Sequence, residues 1–231
     1  MTTSALVRST PGRIPVTYVV TLVPLAAALN IVGGMLNETL KLPTFLDMIG
    51  TCVAAIVLGP WWGALVGIIT NIGGAFITGP VNIPFALANV AGALVWGYGV
   101  RSWGLGASLT RYFFLNILVA LAVTAVAAPI VVFVFGGATG HSSDAITAAF
   151  AQAGNDLLAS VFASNIIVTL ADKVIAGFVG LAIIEALPPN LTRGLRLPAA
   201  RGLRGVGIAA GGIALGIALV LVFALILAPK G

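Results

Sequence analysis

Charge is what this chain has least of: 7% of its 231 residues are Asp, Glu, Lys or Arg, with six acidic residues in all, where a soluble domain carries roughly a quarter. Cysteine and histidine are scarcer still. One cysteine, Cys52, excludes an intrachain disulfide, and one histidine, His141, has no metal-ligand partner at motif spacing. No glycine-rich phosphate loop with Lys and Ser/Thr is present, and no Ser/His/Asp set sits at matching depth, so neither a nucleotide-binding domain nor a catalytic constellation is expected. The chain is read as having no enzymatic activity of its own.

What fills the sequence is apolar. Hydrophobic residues make up 60% of it, mean hydropathy is +1.15, and apolar runs of about 20 residues, each enough to cross a hydrocarbon core of about 30 Å, alternate with short polar punctuation. The expected fold is all-α, a polytopic bundle of transmembrane helices with spans at 15–36, 45–58, 61–78, 83–100, 111–135, 156–186 and 206–228. The second is short and the sixth long. The division runs as a tail over 1–14, a core over 15–188, a basic loop over 189–205 and an extra span with its tail over 206–231. The first apolar run follows the tail with no small-residue cleavage site, so no removable signal peptide is expected.

The net charge of +5 reflects topology, and nucleic acid is not an expected partner. Arg8 and Arg13, Arg101 and Arg111, and Arg193, Arg196, Arg201 and Arg204 all fall on one side of the seven-span plan. The positive-inside rule then places the N-terminus in the cytoplasm and the C-terminus outside a cell membrane. On the outer side lie loops at 37–44, 79–82 and 136–155, the last with an expected short amphipathic helix from Asp144 to Ala153 capped by Asp144. The four arginines of LPPNLTRGLRLPAARGLRG suit topology marking or anionic headgroups.

Polar groups inside apolar spans need a reason, since an ionisable group at such depth costs about 2.5 kcal/mol or more unless it pairs or faces water. Asp47, near the start of the second span, Asn71 in the third and Asn89 in the fourth sit at similar depth. Asn165, Thr169 and Asp172 recur at helical spacing on one face of the sixth. Glu38 and Lys41 hang over the same end, with Asn82 and Phe85 entering from the turn between the third and fourth spans. Together these predict a polar cavity for a small molecule, with Glu38, Asp47, Asn71, Asn82, Phe85, Asn89, Asn165 and Asp172 as binding residues. Asn30 and Asn116 are read as interhelical glue. Asp172 and Lys173, neighbours in sequence, project about 100° apart and are not expected to make an ideal pair with each other. Gly63 and Gly67 form a close-packing motif inside the bundle.

The runs LPTFLDMIGT, AAIVLGPWWGALVGIITN and IPFALANVAGALVWGYGVR, followed by ADKVIAGFVGLAIIEALP, resemble the substrate-binding S component of energy-coupling factor (ECF) transporters over residues 16–188. The resemblance implies a six-helix membrane protein that captures a vitamin, a vitamin precursor or a similar micronutrient near the outer face. Residues 37–45 would be the lid over the ligand. The implied partners are a transmembrane coupling subunit and two cytoplasmic ATPases, with ATP bound on those subunits and no cofactor in this chain. Two departures stand out. Where the family carries an Ala-x-x-x-Ala docking pair, Ala26, Asn30 and Gly34 form a small-residue stripe, and the seventh span exceeds the six-helix plan. The alternative reading is a membrane sensor or a solitary ion-coupled secondary transporter, for which Asp47 and Asp172 are the candidate coupling sites.

Overall fold

The computed structural model describes residues 15–198 and 203–227, so the tail at 1–14, Arg201 and Lys230 lie outside the described residues. The fold is all-α. Its helices are α1 Val16–Leu40, α2 Ile49–Val57, α3 Pro60–Thr78, α4 Ala86–Arg101, α5 Leu109–Phe133, α6 Asp144–Gln152, α7 Leu157–Ala186, α8 Pro189–Thr192 and α9 Leu203–Leu227, with a 3-10 turn Pro80–Phe85 leading into α4. Among the described residues, five segments are long and apolar enough to cross a membrane: Val16–Leu40, Pro60–Thr78, Pro80–Arg101, Leu109–Phe133 and Leu157–Ala186. The chain is a multi-pass membrane protein. Its outward faces carry large apolar side chains such as Leu25, Phe76 and Phe133, surface that a hydrocarbon solvent satisfies and water does not.

Local chemistry sets the ends of these helices. Gly59, at φ 123, turns the chain and Pro60 opens α3, where its missing N–H costs nothing. The Asp156 carboxylate accepts from Ala159 N at 2.9 Å to cap α7, and Ser108 caps α5 by accepting from Arg111 N. The expected short helix forms as α6, but Asp144 does not cap it. Its carboxylate turns back to accept from the Thr139 and Gly140 backbone N–H groups at 2.9 and 2.7 Å, fastening the preceding loop.

The second expected span is the main correction. Only nine residues are helical there, about 14 Å at ~1.5 Å per residue, too short to cross alone. Leu42 N donates to Asn37 O at one end of the bundle, and Arg101 at the other holds Ile56 O and Val57 O at 3.0 and 2.6 Å. An irregular segment over 41–48 and α2 together run between the two ends of the bundle, and Asp47 belongs to the segment rather than to a helix. The first expected outer loop shrinks correspondingly, because α1 continues to Leu40 and carries Asn37 and Glu38 in its last turn. Non-helical backbone at membrane depth is tolerable only where protein buries it or it lines a cavity, and both apply here.

Packing runs through small residues. A Cβ on Gly63 would collide with Ala55 of α2, and one on Gly67 would lie 2.7 Å from Asn89 Oδ1, so the Gly63/Gly67 pair brings α3 against α2 and α4. Gly50 sits on the Ala26 backbone, with room for no side chain. Ala26 and Asn30 are consequently buried, which turns the α1 stripe into the bundle rather than onto a docking face. α7 is the most enclosed of the five membrane-length helices. Its far side carries α9, seated through Gly212 against Phe178 and Gly216 against Ile175.

Candidate functional site

At the end of the bundle where α1 finishes, the helices part around a cavity of about 360 Å³, within the range of small-molecule pockets. α1, α3, α4, α5 and α7 form its walls, and the 41–48 segment and the 139–144 loop cover it. Glu38, Asp47, Asn71, Asn82, Phe85, Asn89 and Asn165 all line it, as the spacing of polar residues predicted.

Asp172 does not line it. Fully buried behind the covering segment, it accepts from the backbone N–H groups of Phe45 at 3.1 Å and Leu46 at 2.7 Å through Oδ1. Its Oδ2 accepts from Lys173 Nζ at 2.5 Å. The expectation that adjacent Asp172 and Lys173 would not pair fails because the four-carbon lysine stem folds back along the helix, cancelling the angular offset of the Cα positions. Lys173 itself reaches the cavity wall, 3.9 Å from Asp47 Oδ1 and 5.9 Å from the centre of the Phe45 ring. Sequence spacing passed it over as a site residue.

Asn30 was also underrated. Its Nδ2 donates to Thr51 Oγ1 at 2.9 Å and Thr70 Oγ1 at 3.0 Å, while its Oδ1 accepts from Gly50 N at 2.6 Å, so it ties α1 to α2 and α3 and also borders the cavity. Thr51 passes the chain on to Asn89 Oδ1 at 2.8 Å, which fixes the Asn89 amide and leaves its Nδ2 buried without a partner. Thr169 Oγ1 and Asp47 Oδ1 are likewise buried without hydrogen bonds. A buried polar group left unpaired costs about 1–3 kcal/mol; three of them around one cavity mark positions that a ligand or water would complete.

The cover is clasped by His141. Its Nε2 lies 3.0 Å from both Thr44 O and Asn37 Nδ2, Ser143 N donates to its Nδ1 at 3.1 Å, and its ring stacks on Phe45 with centroids 4.6 Å apart. Ser142 Oγ adds a bond to Leu42 O at 2.9 Å. With Nδ1 accepting from Ser143 N, the proton resides on Nε2 and goes to the Thr44 carbonyl, so the Asn37 Nδ2, itself a donor, packs against that N–H without a hydrogen bond to it. Burial holds the imidazole pKa below its ordinary value, against opposing pulls from the Thr44 carbonyl and from Asp144 and Asp172.

Comparison of the chain with protein-family models, with curated proteins and with solved structures finds no match. The site's own chemistry carries the functional reading. Amides, hydroxyls, carboxylates and two ammonium groups sit among apolar and aromatic walls, a set suited to non-covalent contacts with a small molecule. Among the described residues no three His, Cys, Asp or Glu side chains gather as metal ligands.

Proposed function

We propose that this chain is a substrate-capture subunit of an ECF-type uptake transporter, binding a vitamin, vitamin precursor or similar micronutrient and passing it to a transmembrane coupling subunit driven by two cytoplasmic ATPases. The observation that carries the reading is the covered cavity of about 360 Å³ with unpaired polar atoms in its wall, set in a bundle of membrane-length helices. Covering residues 41–48 would act as the lid. The resemblance of 16–188 to S components supports the same assignment. Arg101, Arg111, Arg193 and Arg196 lie at the end away from the cavity, where Gly106 packs near Arg196 O and Asn190 meets Tyr18. This supports a cytoplasmic arginine end and an outward-facing cavity in the cell membrane.

Native mass spectrometry of the detergent-purified chain, with identification of any extracted small molecule, tests capture. Uptake by cells lacking the ATPase subunits tests the motor. A stoichiometric heterocyclic compound and loss of uptake are the expected results; uptake that persists without the ATPases overturns the ECF assignment.

One observation favours a second reading. Lys173 stands between Asp172 at 2.5 Å and Asp47 at 3.9 Å, and a buried triad with one loosely held carboxylate is the arrangement an ion-coupled transporter uses. Gradient-driven accumulation by the purified chain alone in liposomes would establish it in place of capture.

A further inference from the structure

The cavity's hydrogen-bonding groups can be sorted into donors and acceptors. The Asn71 Nδ2 donates to Gly67 O at 2.9 Å and the Asn165 Nδ2 to Val161 O at 3.0 Å, each one turn back along its own helix. A carbonyl accepts only from the nitrogen end of an amide, so both side chains are fixed in orientation and each leaves its Oδ1 as the uncommitted end. Asp47 Oδ1 is a third acceptor without a hydrogen bond. Against these stand the Asn89 Nδ2 donor and the Thr169 hydroxyl, which serves either way. Lys173 and Lys41 also line the cavity; the Lys173 ammonium gives one of its three N–H groups to Asp172 and has Asp47 within 3.9 Å, while Lys41 sits at the exposed rim. Away from the rim, groups that accept outnumber groups that only donate.

Charge points the same way. Glu38, Asp47 and Asp144 line the cavity and Asp172 lies directly behind it, four carboxylates against the two ammonium groups of Lys41 and Lys173. Asp144 is spent on backbone N–H groups and Asp172 on Lys173 and the covering segment. Asp47 is the carboxylate left over: a third of its side-chain surface is exposed, and its contact with Lys173, at 3.9 Å, is the longer of the two. We infer that the cavity selects a small organic cation, an amine or a positively charged heterocycle rich in N–H donors, whose charge sits against Asp47. Size separates it from an inorganic ion. About 360 Å³ is the space of roughly a dozen waters, and Phe45, Phe85, Met48 and Val123 give it apolar walls suited to a flat organic body.

The inference rests on the capture reading of this cavity, yet its test needs only the isolated full-length chain. Uptake that proved independent of ATPases would remove the ECF assignment and leave the selectivity standing. The probes are size-matched sets: 1-methylnicotinamide, nicotinamide and nicotinate, and benzylamine, a protonated amine at neutral pH, with its uncharged isostere benzyl alcohol. Binding to the detergent-purified protein is read by thermal stabilisation and calorimetry, with sodium and calcium chloride as inorganic arms. The cationic member of each set should bind at least fivefold more tightly than the neutral one, and nicotinate most weakly. Asp47→Asn should abolish the preference, and Glu38→Gln, at the exposed mouth, should reduce it without affecting folding. Equal binding across charge, tighter binding of nicotinate, no binding by either cation, or stabilisation by the inorganic ions alone would each overturn the inference. Should Asp47→Asn fail to fold, an unchanged preference in Glu38→Gln would count against it.

Discussion

At the arginine end of the bundle, the chain reverses in the tight Gly59-Pro60 turn, with Pro60 packed beneath Gly97, and Arg101 satisfies the last carbonyls of α2. At the cavity end, a helix gives way to irregular backbone, Lys41 and Leu46 take positive φ, and Asp47, Asn89 and Thr169 each keep a buried atom without a hydrogen bond. The two ends differ in chemistry, arginines at one and amides and carboxylates at the other, within the same apolar bundle. One end spends its polar groups on itself; the other holds them in reserve. Stability and binding are therefore expected to respond to different substitutions, as the uneven distribution of local stability in proteins implies.

Asp172→Ala is the severest way to break this division. It strands Lys173 in the interior and frees the Phe45 and Leu46 N–H groups, a loss of about 3–5 kcal/mol, so thermal melting in detergent should fall sharply and ligand binding should disappear with it. Arg101→Ala, at the other end, should cost about 1.5–3 kcal/mol from its charged hydrogen bonds while ligand affinity stays constant in titration calorimetry. A drop in affinity there would erase the distinction between the ends. Asn89→Ala should sharpen it from the opposite side: about tenfold weaker binding, equivalent to about 1.4 kcal/mol, with a far smaller change in melting temperature.

Much of this architecture is legible in the chain itself. Gly59-Pro60 marks the break before the third span, and Asn71, Asn89 and Asn165 declare themselves as amides in apolar helices, whereas the cap expected at Asp144 does not form because its carboxylate goes to the preceding loop. Two things resist such reading. An apolar run such as 45–58 has the same composition whether its first residues are extended or helical, and only the packing of Leu46 against Gly33 and of Gly50 against Ala26 decides between them. Helical periodicity likewise puts Asp172 on the face of Asn165 and Thr169. The wheel knows nothing of the segment that slides between that carboxylate and the cavity, so a residue that fastens the cover looks like one that touches ligand. Lys173 is missed for the complementary reason, since a flexible stem is not bound by its Cα direction.

The smallest expected effect is a pH response of the cover. Because burial depresses the His141 pKa below 6.5, the open or unfolded chain takes up the proton first. The clasp's contribution is complete above about 6.5 and is lost as pH falls through the lowered value. Asp144 and Asp172 soften this depression and Lys41 adds to it. Once the intrinsic pH dependence of amide exchange is divided out, the protection of residues 41–48 should fall several-fold between pH 7.5 and 5.5, and His141→Gln should flatten that dependence. Protection that is unaffected by pH would assign the clasp to its neighbours Ser142 and Thr44.

Lys41, at φ 54, and Leu46, at φ 55, bend the covering segment without the relief a glycine would give, and each holds a left-handed conformation that costs of order 1 kcal/mol. The segment is thus a leaf spring bent at two points and held down by the Asp172 carboxylate together with the His141 and Ser142 contacts. Strain of this size offsets part of what those contacts contribute, so the cover is held less firmly than its hydrogen bonds alone would imply.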